Sequence, residues 1–278
     1  MHKLIKTLLT GIFLIILGAL LSGSAFALMG FDLSSLYMTG HVSRRYDIDD
    51  DFSSITIKGD TENIRLKQSE DGSAYVICTE RKDHAHNVHA DGSTLTVTDT
   101  SEWQLELNLF FEQLDITLYL PEKEYEDLII SCDTGSVTIP EGFLFKNIDV
   151  KTDTGSIHLN SRASGQVKLV TDTGNVELKD VSCSELISSG DTGNVTLNNV
   201  ITSGDWTISR STGNINFTDC DAAGLNITTD TGNIKGTLLS PKTFEAKTDT
   251  GKVNVPDSSG DGLCVLKSSL GTINVSIK

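Results

Sequence analysis

The stretch DTGNVELKDVSCSELISSGDTGNV, residues 172–195, decides the fold. It opens on Asp172-Thr173-Gly174-Asn175-Val176 and closes on the same five residues, Asp191-Thr192-Gly193-Asn194-Val195. Val176 and Leu178 flank Glu177 after the first triplet, and Leu186 stands five residues before the second. Alternation with a period of two is the mark of a half-buried strand, and Asp and Gly are turn residues. One unit therefore reads as a turn, a short strand, a second turn and a second strand.

Working outward, Asp-Thr-Gly starts at Asp133, Asp153, Asp172, Asp191, Asp230 and Asp249. Ser211-Thr212-Gly213 fills the one gap, and Ser269-Leu270-Gly271 follows the last. Successive starts differ by 20, 19, 19, 20, 19, 19 and 20 residues. Inward positions after the turns are apolar, from Val137 and Ile139 through Ile215 and Phe217 to Val253 and Val255 and then Ile273 and Val275, with a weaker copy at Asp230, where Gly236 follows Ile234. One repeat cannot bury its own apolar side, whereas stacked repeats share a continuous core. The pattern predicts an all-β, single-stranded parallel β-helix with coils of 19–20 residues. At about 4.8 Å per coil, eight coils make a rod of about 40 Å. The preference of parallel crossovers favours right-handed coiling.

In this reading the structural turns are Asp133 and Gly135, Asp153 and Gly155, Asp172 and Gly174, Asp191 and Gly193, Ser211 and Gly213, Asp230 and Gly232, Asp249 and Gly251, with Gly271 in the last. Asp or Ser is expected to bond a backbone N–H two residues on, and Gly to supply a conformation that a Cβ hinders. Asp-Thr-Gly is also the catalytic triplet of aspartic proteases, but that chemistry needs two copies face to face. Here the copies are serial, and Ser211 replaces the acid. No triad, phosphate loop or cofactor motif is present, so the expectation is a non-enzyme without a cofactor.

Residues 52–130 lack the triplet but keep strand alternation, as in Ile55-Thr56-Ile57, Ile64-Arg65-Leu66, Tyr75-Val76-Ile77, Leu95-Thr96-Val97 and the run Leu105, Leu107, Leu109. They are expected to form irregular coils and a cap of the same solenoid, with 131–278 as its regular part and 32–51 as a linker. The sequence ends in a strand, Asn274–Lys278, without a polar cap, which predicts an exposed end coil there.

Lys3 and Lys6 precede an uncharged run from Thr7 to Phe31. Its 25 residues suffice to cross a bilayer as a helix, and the lysines place the N-terminus in the cytoplasm. The expectation is one transmembrane helix within 1–31 and an extracytoplasmic body. Cleavage near Ala27, after Ala25-Phe26-Ala27, is the alternative. Net charge is −16 and the pI about 4.6, which excludes nucleic acid as a partner.

His84, His86 and His89 form the sole histidine cluster and are candidate metal ligands, although no Cys or Glu completes a known zinc spacing. Cys183, Cys220 and Cys264 fall two coils apart, about 10 Å, beyond a disulfide's reach. Cys78 has no place in the register. Outward residues Thr138, His158, Glu177, Thr196, Asn216, Lys235, Asn254 and Asn274 predict a polar ribbon along the rod, open to a glycan or a protein.

The N-terminal apolar segment, Ile55-Thr56-Ile57 and the serial Asp-Thr-Gly-Asn-Val/Ile units resemble the bacterial putative-adhesin family of β-strand repeat proteins. That family includes LiaG-like and YvlB-like envelope proteins of Gram-positive bacteria. The resemblance implies a β-repeat envelope protein with a link to envelope stress, and carries over no catalytic residues. The expected function is a rigid solenoid for adhesion or protein contact. A polysaccharide-active β-helix enzyme and a regulatory partner of a membrane sensor are the alternatives.

Overall fold

The alternating aliphatic residues are buried between two long sheets, in which all but the outermost strands pair on both edges. The computed structural model describes residues 17–18, 41–82, 85–99 and 114–278. The expected membrane helix and the Leu105–Leu109 alternation lie outside these residues, apart from Leu17 and Gly18, which are helical. Among the described residues no helix is long and apolar enough to cross a membrane.

The strands before the repeats are β1 (His41–Ile48), β2 (Ser54–Gly59), β3 (Glu62–Gln68), β4 (Ala74–Arg81), β5 (Asn87–Asp91), β6 (Thr94–Thr98) and β7 (Leu114–Leu120). Each repeat then gives a strand that runs into the triplet and a shorter one that leaves it. The first pairs are β8 (Glu124–Thr134) with β9 (Val137–Ile139), and β10 (Leu144–Thr154) with β11 (Ile157–Leu159). After the short β12 (Arg162–Ala163) come β13 (Gln166–Thr173) and β14 (Val176–Lys179). After β15 (Ser182–Cys183) come β16 (Glu185–Thr192) and β17 (Val195–Asn198). After β18 (Ile201–Thr202) come β19 (Trp206–Thr212) and β20 (Ile215–Cys220). The last are β21 (Leu225–Thr231) with β22 (Ile234–Leu238), β23 (Thr243–Thr250) with β24 (Val253–Asn254), and β25 (Leu263–Leu270) with β26 (Ile273–Ile277).

Incoming strands stack in one long sheet and outgoing strands in the other, parallel and in register. Ile157 lies beside Val137 on one side and Val176 on the other. The inward residues of both sheets meet in one core, in which Leu128, Val150, Val176, Leu197 and Trp206 are each fully buried. Full burial of such a side chain stabilises by about 1.5–3 kcal/mol.

Stacking follows chain order only in the middle. At one end β26 pairs with both β22 and β24, and β25 with both β21 and β23. The coil from 263–277 is thus inserted ahead of the coil from 243–254, which becomes the physical end of the rod. This corrects the expectation of an exposed end coil at Asn274–Lys278. That strand is interior, and Lys278 is held by its N–H to the Leu238 carbonyl and by an ion pair to Asp219 at 2.8 Å. Val253, expected inward, is 43% exposed for the same reason.

The other end is rearranged too. β2 and β3 stack directly on β8 and β9, and β6 and β7 stack outside them. Strand direction then reverses: β5 runs antiparallel to β6, β4 to β7, and β1 to β4. Residues 41–48, expected as linker, are therefore a strand of this cap. Val42, Arg44, Tyr46 and Ile48 share its covered face. Arg44 obscures the alternation in the sequence, because its charge is needed there by Glu80, 3.0 Å away.

Candidate functional site

Where one sheet passes to the other, the eight triplets form a column. In every coil but the terminal one, the glycine N–H donates to the residue before the glycine of the adjoining coil, as Gly155 does to the Thr173 carbonyl and Gly271 to the Thr250 carbonyl, both within 3.0 Å. A Cβ on Gly155, Gly174, Gly193, Gly213, Gly232, Gly251 or Gly271 would stand 1.9–2.0 Å from the carbonyl oxygen of the neighbouring glycine, and on Gly135 2.0 Å from that of Glu62. Close approach therefore requires glycine at every level.

The aspartates do not hold these turns. Asp133, Asp153, Asp172, Asp191, Asp230 and Asp249 are exposed, and none accepts a hydrogen bond from the N–H two residues on. Two neighbouring positions carry that work. Asn175, Asn194, Asn214 and Asn233 each accept, through the side-chain oxygen, the N–H of the matching residue one coil along, at 2.8–2.9 Å. On the inner side, hydroxyls of the buried Thr171, Thr229 and Ser268 and of the half-buried Thr248 donate to glycine carbonyls at 2.8–3.0 Å. In the swapped order, Ser269 lies between Asp230 and Asp249, and Ser211 between Asp191 and Asp230.

Arg210 interrupts the hydroxyl ladder. It is 3% exposed, reaches Ser188 Oγ at 3.2 Å and the Ser209 carbonyl at 3.1 Å, and leaves its Nε without a partner. Burial lowers its pKa to about 10. Ser188 and Gly190 make the room, since a Cβ on Gly190 would meet an Arg210 nitrogen at 2.9 Å.

The polar ribbon is partly self-satisfied. His158 Nδ1 lies 3.3 Å from Glu177, and Asn254 donates to Asn274 at 2.7 Å. All five cysteines are free and buried. Burial pushes the thiols of Cys132, Cys183 and Cys264 up to about 12, which leaves them protonated and unreactive. Of the histidine candidates, His84 lies outside the described residues and His89 is exposed on β5. His86 is buried among groups from other strands.

β1 and β5 are the outermost strands of the cap, and the 243–254 coil ends the stack on the other side. Among the described residues β23 pairs only with β25, and β24 only with β26. Their outer edges present unpaired backbone groups, the usual template for strand addition. Phe244, Ala246 and Val255 are half-buried against the core, and Leu263 and Leu270 of the adjoining strand are 45% and 53% exposed. Outward on β23 stand Glu245, Lys247 and Asp249.

A family described as Toastrack DUF4097 matches residues 52–277. No curated protein matches the chain. Among solved structures, a putative adhesin from Bacteroides fragilis is similar at 16% identity and a TM-score of 0.48, over 86% of this chain and 98% of its own. A putative adhesin from Parabacteroides distasonis shares 11% identity at a TM-score of 0.39, over 86% and 97% of the two chains.

Proposed function

The chain belongs to the Toastrack DUF4097 family, and from its open end we propose that it is a non-enzymatic envelope protein whose solenoid makes protein contacts outside the cytoplasm. The N-terminal apolar segment serves as the tether. β1 lies in the cap, and the open 243–254 coil lies at the opposite end of the stack. The contact is made there, with a second copy of the same chain.

The observation that carries this reading is the charge order on β23. A two-fold axis centred on Ala246 sets β23 antiparallel to its counterpart. Glu245 of each copy then stands opposite Lys247 of the other, and Ala246 meets Ala246. Directly opposed cross-strand residues lie about 4.5–5.5 Å apart, so opposite charges attract and like charges repel. Centring the pair on Glu245 or Lys247 opposes like charges, which disfavours those registers. The same axis extends both sheets and covers Phe244.

Light scattering of the full chain in detergent tests this. The wild type is expected to dimerise with concentration. Glu245→Lys or Lys247→Glu alone gives a monomer, and the double exchange restores the dimer. A wild-type monomer, or single exchanges without effect, refutes the self-contact.

A further inference from the structure

Four ionisable side chains are enclosed where the cap meets the first coils. Cys78 and Glu80 stand two residues apart on β4, His86 lies just before β5, and Glu62 opens β3. They are 0%, 1%, 6% and 2% exposed. One ligand atom each from Cys78, Glu80 and His86 lie within 4.8 Å of one another. His86 Nδ1 is 2.9 Å from Glu80 Oε2, and the His86 N–H donates to the same oxygen at 2.8 Å. His86 Nε2 faces Glu62 Oε1 at 3.5 Å and has no hydrogen-bond partner.

We propose that Cys78, Glu80 and His86 form a binding site for a zinc-class divalent cation, with His86 binding through Nδ1. Thiolate, imidazole and carboxylate together suit zinc, and are foreign to the all-oxygen sites of calcium and magnesium. Ligand bonds of about 2.0–2.3 Å put the donors of a tetrahedral ion about 3.3–3.8 Å apart, and the three ligand atoms here lie within 4.8 Å of one another. Glu62 faces Nε2 on the far side of the ring and orients the imidazole, as the outer partner of a metal-bound histidine does. The ion joins β4 to the segment before β5, and so fastens the two sheets of the cap to each other.

Tyr46 donates to Glu80 at 3.0 Å, and Arg44 pairs with it. Glu62 accepts the Asp60 N–H at 2.7 Å. Cys132 is engaged elsewhere, 3.4 Å from the Glu62 carbonyl. A thiolate and an imidazole nitrogen bind an ion only without their protons, so proton release accompanies loading.

The test uses zinc and cobalt(II) chlorides on the full chain. The wild type is expected to retain one zinc per chain through gel filtration at pH 8, and to give a thiolate-to-cobalt absorption band. Zinc raises its melting temperature. Cys78→Ser and His86→Ala lose stoichiometric zinc and the zinc-dependent rise in melting temperature, while His89→Ala keeps both. Should the variants fail to fold, the wild-type cobalt spectrum still decides. Absence of the thiolate band, or zinc retained unchanged by Cys78→Ser, overturns the proposal.

Discussion

An added Cβ at Gly174 would stand 2.0 Å from the Gly155 carbonyl oxygen, in a backbone with φ of +158°. That oxygen belongs to the sheet-to-sheet column and cannot retreat without breaking hydrogen bonds on both sides. Gly174→Ala is therefore expected to cost about 3 kcal/mol or more, read as a fall in the urea midpoint. The need for glycine was visible in the sequence from its spacing. The role of the aspartate was not. Its carboxylate points to solvent, while Asn175 and Thr171 beside it hold the turn. Local turn chemistry favoured the acid, but stacking supplies acceptors one coil away that no single turn contains. Arg210 shows the same limit: it takes a threonine's place in the register, and its compensations, Ser188 and Gly190, lie in the previous coil.

At the scale of the element, the segment leading into β23 is tied down by one ion pair. Lys242 Nζ reaches Asp221 Oδ1 at 3.0 Å, with Lys242 only 6% exposed and Ser240 donating to the same oxygen. Partial burial raises the Asp221 pKa, but the bonds from Lys242 and Ser240 outweigh it and the net shift is downward. A lowered folded-state pKa means stability that is fully present above the ordinary value of 3.8 and lost as pH falls through the folded value. Asp221→Asn is expected to cost about 2 kcal/mol at neutral pH by leaving Lys242 buried without a counter-charge. The difference in melting temperature from the wild type should shrink as the pH drops below 3.8. The buried His86 cluster was only half legible for a related reason. The histidine stood out, but Cys78 and Glu80 belong to a strand running antiparallel to β7, outside the repeat register.

For the whole molecule, the swapped coils carry the strongest prediction. Removing residues 263–278 takes away an interior coil and leaves 243–254 with no partner at its docking edge. Removing 241–278 leaves an ordered stack that ends at β21 and β22. The longer truncation should melt at the higher temperature of the two, whereas a stack built in chain order would give the reverse. The repeat spacing revealed the solenoid but not this order, because every triplet offers the same edges. The sequence does hold a clue in its least apolar coil. Ala246 and Thr248 stand inward on β23 where Leu266 and Ser268 stand on β25, and Lys252 replaces the ladder asparagine. The coil that buries least lies where solvent reaches it.

The exchange of the last two coils also sets a timetable. A chain that emerges from a ribosome or a translocation channel from its N-terminus delivers residues 243–254 before the coil on which they must rest. That segment waits, unfolded or loosely attached, until 263–277 has followed it and slipped into the gap. Completion of the rod is thus a threading step rather than simple addition. A chaperone that shields Phe244 during the interval would act at the moment when strands of neighbouring chains are most able to pair with it.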